Sequence, residues 1–152
     1  MYSIRSRATK SRRGARNISL FALAAILAVS AVAVPMALAR SSKTVAGEAT
    51  APSLHKTVLT NTKGMTLYSL SVEKNGRFIC TGSCTSTWPP LLVAAGTTPK
   101  GPVKLGTIKR PEGKIQVTFK GMPVYTFDGD SAKGQANGEG IKDVGVWHAV
   151  TP

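Results

Sequence analysis

The sequence has few of the residues from which catalytic sites are usually built. Its 152 residues include two histidines and two cysteines. It contains no Gly-x-Ser-x-Gly elbow, no nucleotide-binding glycine loop and no His-Glu-x-x-His pair. Asp128 and Asp130 are two residues apart on one expected turn, a poor arrangement for carboxylates that must face each other across a glycosidic bond. We therefore expect no catalytic residues, no enzymatic activity, and no cofactor other than the metals considered below.

Acidic residues are also scarce, with 7 Asp and Glu against 20 Lys and Arg. Six of the basic residues lie in the first 17 positions, so residues 40–152 carry 14 basic against 7 acidic side chains, a net charge of +7. The basic residues of this part are scattered singly, without the runs or interleaved aromatics that bind nucleic acid. The partners that this pattern leaves open are anionic polymers of the cell envelope and an anionic membrane surface.

Residues 1–39 have the three parts of a secretory signal peptide. A basic, acid-free stretch precedes an apolar run over residues 18–34, and Pro35 ends that run. Small side chains before and at Ala39 predict cleavage between this residue and Arg40. The alternative is an uncleaved anchor helix, because the apolar run is long enough to span a bilayer. Both interpretations predict a secreted or extracytoplasmic protein of the cell envelope.

The chain after the signal peptide lacks a sustained helical period. Residues 40–54 are rich in Ser, Thr, Ala and Gly and show no apolar period, so they predict a flexible linker. From His55 onward, short apolar segments are separated by Gly, Asn and Pro, which favours strands over helices. We expect a single small, mostly β domain over residues 55–152.

Residues 115–119 and 122–127 predict a β-hairpin closed by Lys120 and Gly121. The first segment alternates apolar and polar side chains, and Gly121 can adopt the positive φ that a tight turn requires. Pro123 has no N–H for a strand ladder. The second strand is therefore expected at a sheet edge, or with this residue turned away from a partner.

The pattern of the second hairpin strand occurs twice, 57 residues apart. Residues 63–70 (Lys-Gly-Met-Thr-Leu-Tyr-Ser-Leu) align with residues 120–127 (Lys-Gly-Met-Pro-Val-Tyr-Thr-Phe). Each copy runs on to a tryptophan at nearly the same distance, Trp88 in the first and Trp147 in the second. We interpret these as two β-rich repeats that pack into one core with pseudo-twofold symmetry. Their approximate bounds are residues 57–90 and 114–150.

The second repeat contains Tyr125, Phe127 and Asp130 in the spacing Tyr-x-aromatic-x-x-Asp. In this motif the chain resembles a family of bacterial secreted repeats and predicted lipoproteins defined by Tyr-x4-Asp. The first repeat departs from the pattern, because Tyr68 is followed by Leu70 in place of the aromatic residue and by Glu73 in place of Asp. The resemblance implies export and assigns no activity. Many members carry a lipid anchor, but this sequence has no cysteine near the cleavage site to accept one.

Cys80 and Cys84 are the two cysteines of the chain. In an exported protein such a pair is expected to form a disulfide, here one that closes a small loop. A redox-active pair is the alternative, although such pairs usually have two intervening residues at a helix N-terminus and here there are three. Covalent haem is excluded because Thr85 follows Cys84 where a histidine is required.

Two sets of residues are candidate metal ligands. Met65 and Met122 hold equivalent places in the two repeats, and with His55 and His148 they offer the sulfur and imidazole ligands that copper prefers. The simpler interpretation is that the methionines fill the core and that His148 is a half-buried polar residue.

Asp128 and Asp130 lie in a Gly-rich loop and offer carboxylate oxygens of the kind that calcium binds. The alternative is a structural turn in which the Tyr125 hydroxyl approaches the Asp130 carboxylate within the same motif. This latch predicts that Asp130→Asn lowers the thermal stability more than Glu73→Gln does.

Overall fold

The computed structural model of the chain describes residues 40–152, and the predicted signal peptide lies outside this part. As the sequence predicts, the described part is mostly β, with ten short strands, a 3-10 turn at Pro52–Leu54 and one short helix, α1, at Cys84–Thr87. No helix within residues 40–152 is long and apolar enough to cross a bilayer. The strands are β1 Ser42–Thr44, β2 Ala46–Ala51, β3 Lys56–Asn61, β4 Tyr68–Leu70, β5 Leu92–Val93, β6 Thr98–Lys100, β7 Leu105–Lys109, β8 Ile115–Phe119, β9 Met122–Pro123 and β10 Trp147–Ala149.

The prediction of a flexible linker over residues 40–54 is wrong for most of that segment. Strand β1 pairs in parallel with β6, and all six residues of β2 pair with β3 in an antiparallel ladder. The small residues at the two ends of β2, Ala46 and Ala51, are buried, and other segments approach this strand closely. A Cβ on Gly134 would lie 2.6 Å from the Thr50 carbonyl oxygen, and one on Gly101 would lie 3.0 Å from the Ala46 Cβ. Small residues there indicate tight packing rather than solvation.

The predicted hairpin is confirmed. Strands β8 and β9 pair with Phe119 opposite Met122. Lys120 and Gly121 have φ values of 49° and 79°, so both turn residues are left-handed, as a two-residue hairpin turn requires. The alternation in β8 does not leave a solvated face, because four of the five residues of this strand are buried. Gln116 and Thr118 are buried there together with the apolar residues.

The two repeats meet at Tyr68 and Tyr125, whose backbones exchange a pair of hydrogen bonds. The Tyr68 N–H donates to the Tyr125 carbonyl at 2.8 Å, and the Tyr125 N–H donates to the Tyr68 carbonyl at 2.9 Å. This is the reciprocal pair of an antiparallel ladder, and equivalent residues of the two repeats form it. The pseudo-twofold axis therefore passes between the two tyrosines.

Each repeat then pairs its last segment with the other repeat. The Val150 N–H of the second repeat donates to the Leu67 carbonyl of the first at 2.8 Å. At the equivalent place, the Leu91 N–H of the first repeat donates to the Val124 carbonyl of the second at 3.0 Å. The halves thus exchange their closing segments, and neither repeat completes its own sheet.

Two groups of buried side chains fill the interior around this junction. One, the aliphatic core, is aliphatic except for Phe119 and underlies β2, β3 and β8, with Leu59 and Val117 among its members. The other is aromatic and surrounds the axis, with Tyr68, Tyr125, Trp88 and Trp147.

Candidate functional site

Each motif tyrosine donates its hydroxyl hydrogen to the acidic residue of the other repeat. The Tyr68 hydroxyl lies 2.7 Å from Asp130 Oδ2, and the Tyr125 hydroxyl lies 2.7 Å from Glu73 Oε2. The predicted latch between Tyr125 and Asp130 of the same motif is therefore wrong. Because the two tyrosines are opposed across an antiparallel pair, their side chains project from the same face, and each reaches over the loop of the opposite repeat.

The second oxygen of each carboxylate holds the loop that follows its own motif. Glu73 Oε1 accepts hydrogen bonds from the N–H groups of Ile79 and Cys80, both at 2.6 Å. Asp130 Oδ1 accepts one from the N–H of Asn137 at 2.9 Å. Cys80 and Asn137 each lie seven residues after their acid, so the two loops have the same construction.

The two sides of the junction differ in the group that donates a second hydrogen bond to each tyrosine hydroxyl oxygen. The Tyr68 oxygen accepts a hydrogen bond from the backbone N–H of Gly138 at 3.3 Å. The Tyr125 oxygen accepts one from the Arg110 guanidinium at 3.3 Å. The Glu73 side of the junction therefore has a cation, and the Asp130 side has a backbone amide in its place.

Arg110 is a central residue of the site that sequence reasoning missed. Its side chain is 0% exposed, donates to the Cys80 carbonyl at 2.8 Å and to Gln116 Oε1, and forms an ion pair with Glu112. Its guanidinium also lies over the ring of Phe78, 5.0 Å from the centroid. The one available signal was Gln116, a polar residue between the apolar Ile115 and Val117 of a predicted strand, which indicates a buried polar partner.

The four residues of the crossed pairs are withdrawn from solvent. Tyr68, Tyr125 and Glu73 are 0% exposed and Asp130 is 6% exposed. Burial, reinforced by the hydrogen bond to Asp130, raises the pKa of Tyr68 far above its usual value, and burial with the bond to Glu73 does the same for Tyr125. Both phenols consequently remain protonated donors above pH of about 10, where an ordinary tyrosine ionises. Burial alone would lower the pKa of Arg110, but its bonds to Glu112 and Tyr125 raise it.

The aromatic rings around the axis repeat the same symmetry. Trp88 and Trp147 stack face to face, with centroids 3.8 Å apart and planes 7° apart. Tyr68 meets Trp88 edge to face at 5.4 Å, and Tyr125 meets Trp147 edge to face at 5.2 Å. Phe127 covers the other face of Trp88 at 4.4 Å. The motif residues of the two repeats thus contribute to a buried junction of aromatic rings and hydrogen bonds.

The predicted disulfide between Cys80 and Cys84 is confirmed. Cys80 is fully buried beside the aromatic cluster, and its N–H is one of the two held by Glu73. Cys84 begins helix α1. The bridge therefore fixes the loop that receives the Glu73 carboxylate.

The candidate metal ligands do not form one group. Both Asp130 oxygens already accept hydrogen bonds, while Asp128 is exposed. His148 pairs with Glu139, with Nδ1 and Oε1 2.9 Å apart. Met122 and His148 line one groove of about 320 Å³, and Met65 is not part of its lining. Within residues 40–152, no three His, Cys, Asp or Glu side chains cluster as a metal site would need.

Taken together, these contacts define a β domain of two repeats joined by crossed tyrosine and carboxylate pairs. Residues 106–151, which include the second repeat, match the family described as a secreted repeat of unknown function. This match confirms the family resemblance for that part of the chain and agrees with the export that residues 1–39 predict. Searches of the curated proteins and of the solved structures gave no match.

Proposed function

We propose that the protein is a non-enzymatic binding or structural domain of the cell envelope or the extracellular space. The observation that carries this proposal is that the motif residues bond the two repeats to each other. Both acids and both tyrosines are buried and bonded to each other or to backbone amides. A general acid, base or nucleophile must reach its substrate, and these groups do not reach the surface.

The surface of residues 40–152 has an excess of positive charge that could contact anionic material. Residues 40–152 contain 14 basic and 7 acidic residues, and one basic residue (Arg110) and two acidic ones (Glu73 and Asp130) are buried. The surface therefore carries 13 basic against 5 acidic residues, a net charge of +8. Such an excess attracts anionic polymers and anionic membrane surfaces without requiring a shaped pocket.

Binding of a polyanion to the exported protein tests this proposal. Long-chain inorganic polyphosphate serves as the probe, with neutral dextran as the control polymer. We expect saturable binding to polyphosphate that weakens steeply as salt rises, because the contacts are between exposed charges. No binding at physiological ionic strength, or equal binding to dextran, would contradict the proposal.

A pair of lysines provides a matched test of the role of charge. Lys43 and Lys100 are exposed on the paired strands β1 and β6. Changing both to Gln is expected to weaken polyphosphate binding, whereas changing both to Arg keeps the charge and is expected to leave it unchanged. Equal affinities for the two variants would show that exposed charge does not drive the contact.

An envelope metal protein is the second candidate, favoured by Met122 and His148 in one groove. Elemental analysis of the exported protein separates the two candidates. A stoichiometric copper content that is lost in Met122→Leu and in His148→Gln would favour the metal protein. Metal-free protein that still binds polyphosphate would favour the first candidate.

A further inference from the structure

A groove of about 560 Å³ lies at one end of the β7 and β8 pair, next to the C-terminal residue Pro152. Its walls include the apolar side chains of Val103, Leu105 and Phe119. A volume of this size is in the range of small-molecule sites, which are mostly apolar with a few placed polar groups. None of the motif residues lines this groove, so it is separate from the crossed pairs.

The apolar wall is continuous with the aliphatic core. Phe119 is a buried member of that core, and Val103 and Leu105 are half-buried and pack against it. The groove therefore leads from the surface to core side chains. Apart from backbone groups, the hydroxyl of Thr118 and the two lysine side chains are the polar groups of its lining. A neutral polar ligand would lose water there without gaining enough hydrogen bonds.

Two exposed cations border the apolar wall. Lys104 precedes β7, and Lys120 lies in the β8 to β9 turn with its Nζ 4.5 Å from the centroid of the Phe119 ring. No Asp or Glu side chain lines the groove, and the α-carboxylate of Pro152 is the anionic group beside it. The ion pairs among residues 40–152 involve other side chains, so neither lysine is neutralised by a carboxylate there. The groove thus combines an apolar wall with unpaired positive charge at its edge.

We propose that this groove binds the acyl chain of a single-chain anionic amphiphile, with the headgroup between Lys104 and Lys120. The apolar chain would cover Val103, Leu105 and Phe119, and the anionic group would meet the two ammonium groups. The inference rests on the proposed contact with anionic envelope material and names one class of ligand and one place for it.

Titration of the exported protein with dodecanoate, below the concentration at which it forms micelles, tests the inference. Methyl resonances of Val103 and Leu105 locate the binding in an NMR experiment. Dodecanol, which has the same chain without the charge, is the comparison ligand. We expect one site, shifts centred on these methyl groups, and binding of dodecanol about 10-fold weaker or more. Shifts centred elsewhere, or equal affinity for the alcohol, would overturn the proposal.

The opposite end of the same strand pair provides a matched control. Leu105 pairs with Phe119 at the groove end, whereas Lys109 pairs with Ile115 at the far end, next to Lys114. The double variant Lys104→Glu with Lys120→Glu is expected to bind dodecanoate about 10-fold more weakly or worse. The double variant Lys109→Glu with Lys114→Glu has the same net charge and is expected to bind as the unaltered protein does. An equal loss of dodecanoate affinity in the two double variants would show that overall charge determines the binding. That result would contradict a binding site in the groove.

Polyphosphate binding by the same two variants distinguishes this inference from the proposed function. If polymer binding depends on total charge, both variants lose it to a similar degree, while the dodecanoate site is lost in one variant alone. A protein that binds polyphosphate and not dodecanoate would refute the groove proposal and leave the proposed function standing. Dodecanoate binding without polyphosphate binding would support the groove proposal and contradict the proposed contact with anionic polymers.

Discussion

Tyr68 and Asp130 lie 62 residues apart in the chain, in different repeats, and their side chains meet in a buried hydrogen bond of 2.7 Å. The equivalent residues Tyr125 and Glu73 form the second bond of the same length. The backbones of the two tyrosines also exchange two hydrogen bonds. All these bonds connect the two repeats through buried groups, where water does not compete for the donors and acceptors. The motif residues therefore hold the repeats together, which accounts for their presence in both copies.

Loss of either carboxylate charge should destabilise the fold. Glu73 is fully buried and accepts three hydrogen bonds, whereas Asp130 accepts two. We therefore expect Glu73→Gln to lower the free energy of unfolding by about 1–3 kcal/mol, and at least as much as Asp130→Asn does. This order is the reverse of the one that a latch within a single motif predicts. Urea unfolding of the exported protein measures both values.

Asp128→Asn is the control for these variants, because Asp128 is exposed and two residues from Asp130. It should change the free energy of unfolding by no more than about 0.5 kcal/mol. A loss at Asp128 as large as that at Asp130 would mean that charge in the loop, rather than the buried bond, is what stabilises the fold.

Alkaline pH should weaken the protein through its two buried tyrosines. Their pKa values in the folded state lie above that of an unfolded tyrosine, which is about 10. Between these values the unfolded chain loses protons that the folded protein keeps. The contribution to stability is therefore complete below pH of about 10 and falls above it, by roughly 1.4 kcal/mol per pH unit for each tyrosine.

The measurement is the free energy of unfolding as a function of pH, compared with the double variant Tyr68→Phe with Tyr125→Phe. Both proteins carry the same lysines, so the difference between their curves isolates the two tyrosines. Residues 40–152 contain no other tyrosine, so the tyrosinate absorbance band follows these two hydroxyls directly. Phenol ionisation at the usual pH in the folded protein would contradict the buried pairs.

Arg110 should be the most sensitive basic residue of the domain. Removing it leaves the Gln116 side chain, the Cys80 carbonyl and the Tyr125 hydroxyl without their buried donor. We expect Arg110→Ala to cost about 3 kcal/mol or more, because three buried acceptors each lose a hydrogen bond at a cost of about 1–3 kcal/mol. Arg77→Ala, at an exposed arginine, should cost little. Similar thermal unfolding of the two variants would contradict the assigned role.

The sequence predicted the features that short-range patterns encode. The hairpin at Lys120 and Gly121 follows from the conformational freedom of its turn residues, and the disulfide follows from two cysteines in an exported chain. The repeat was visible because the Lys-Gly-Met-x-x-Tyr pattern recurs. Its two copies also predicted a shared core, which the stacking of Trp88 on Trp147 provides.

The crossing of the pairs could not be predicted from one copy of the motif. Spacing within the motif places Tyr125 close to Asp130 along the chain, whereas the observed partner of each tyrosine depends on how the two halves dock. Strand β2 was missed because its small residues resemble a solvated linker in composition. Arg110 was missed because nothing in its local sequence distinguishes a buried arginine from the scattered exposed ones.

Double-mutant cycles on the two tyrosines and the two acids test the crossed arrangement most directly. Single and double variants (Tyr→Phe, Asp130→Asn and Glu73→Gln) are unfolded in urea, and a coupling energy is calculated for each of the four pairs. The crossed pairs, Tyr68 with Asp130 and Tyr125 with Glu73, are expected to show coupling of about 0.5–3 kcal/mol. The pairs within one motif, Tyr68 with Glu73 and Tyr125 with Asp130, should be additive within about 0.5 kcal/mol. Strong coupling within the motifs and additivity across them would contradict the account.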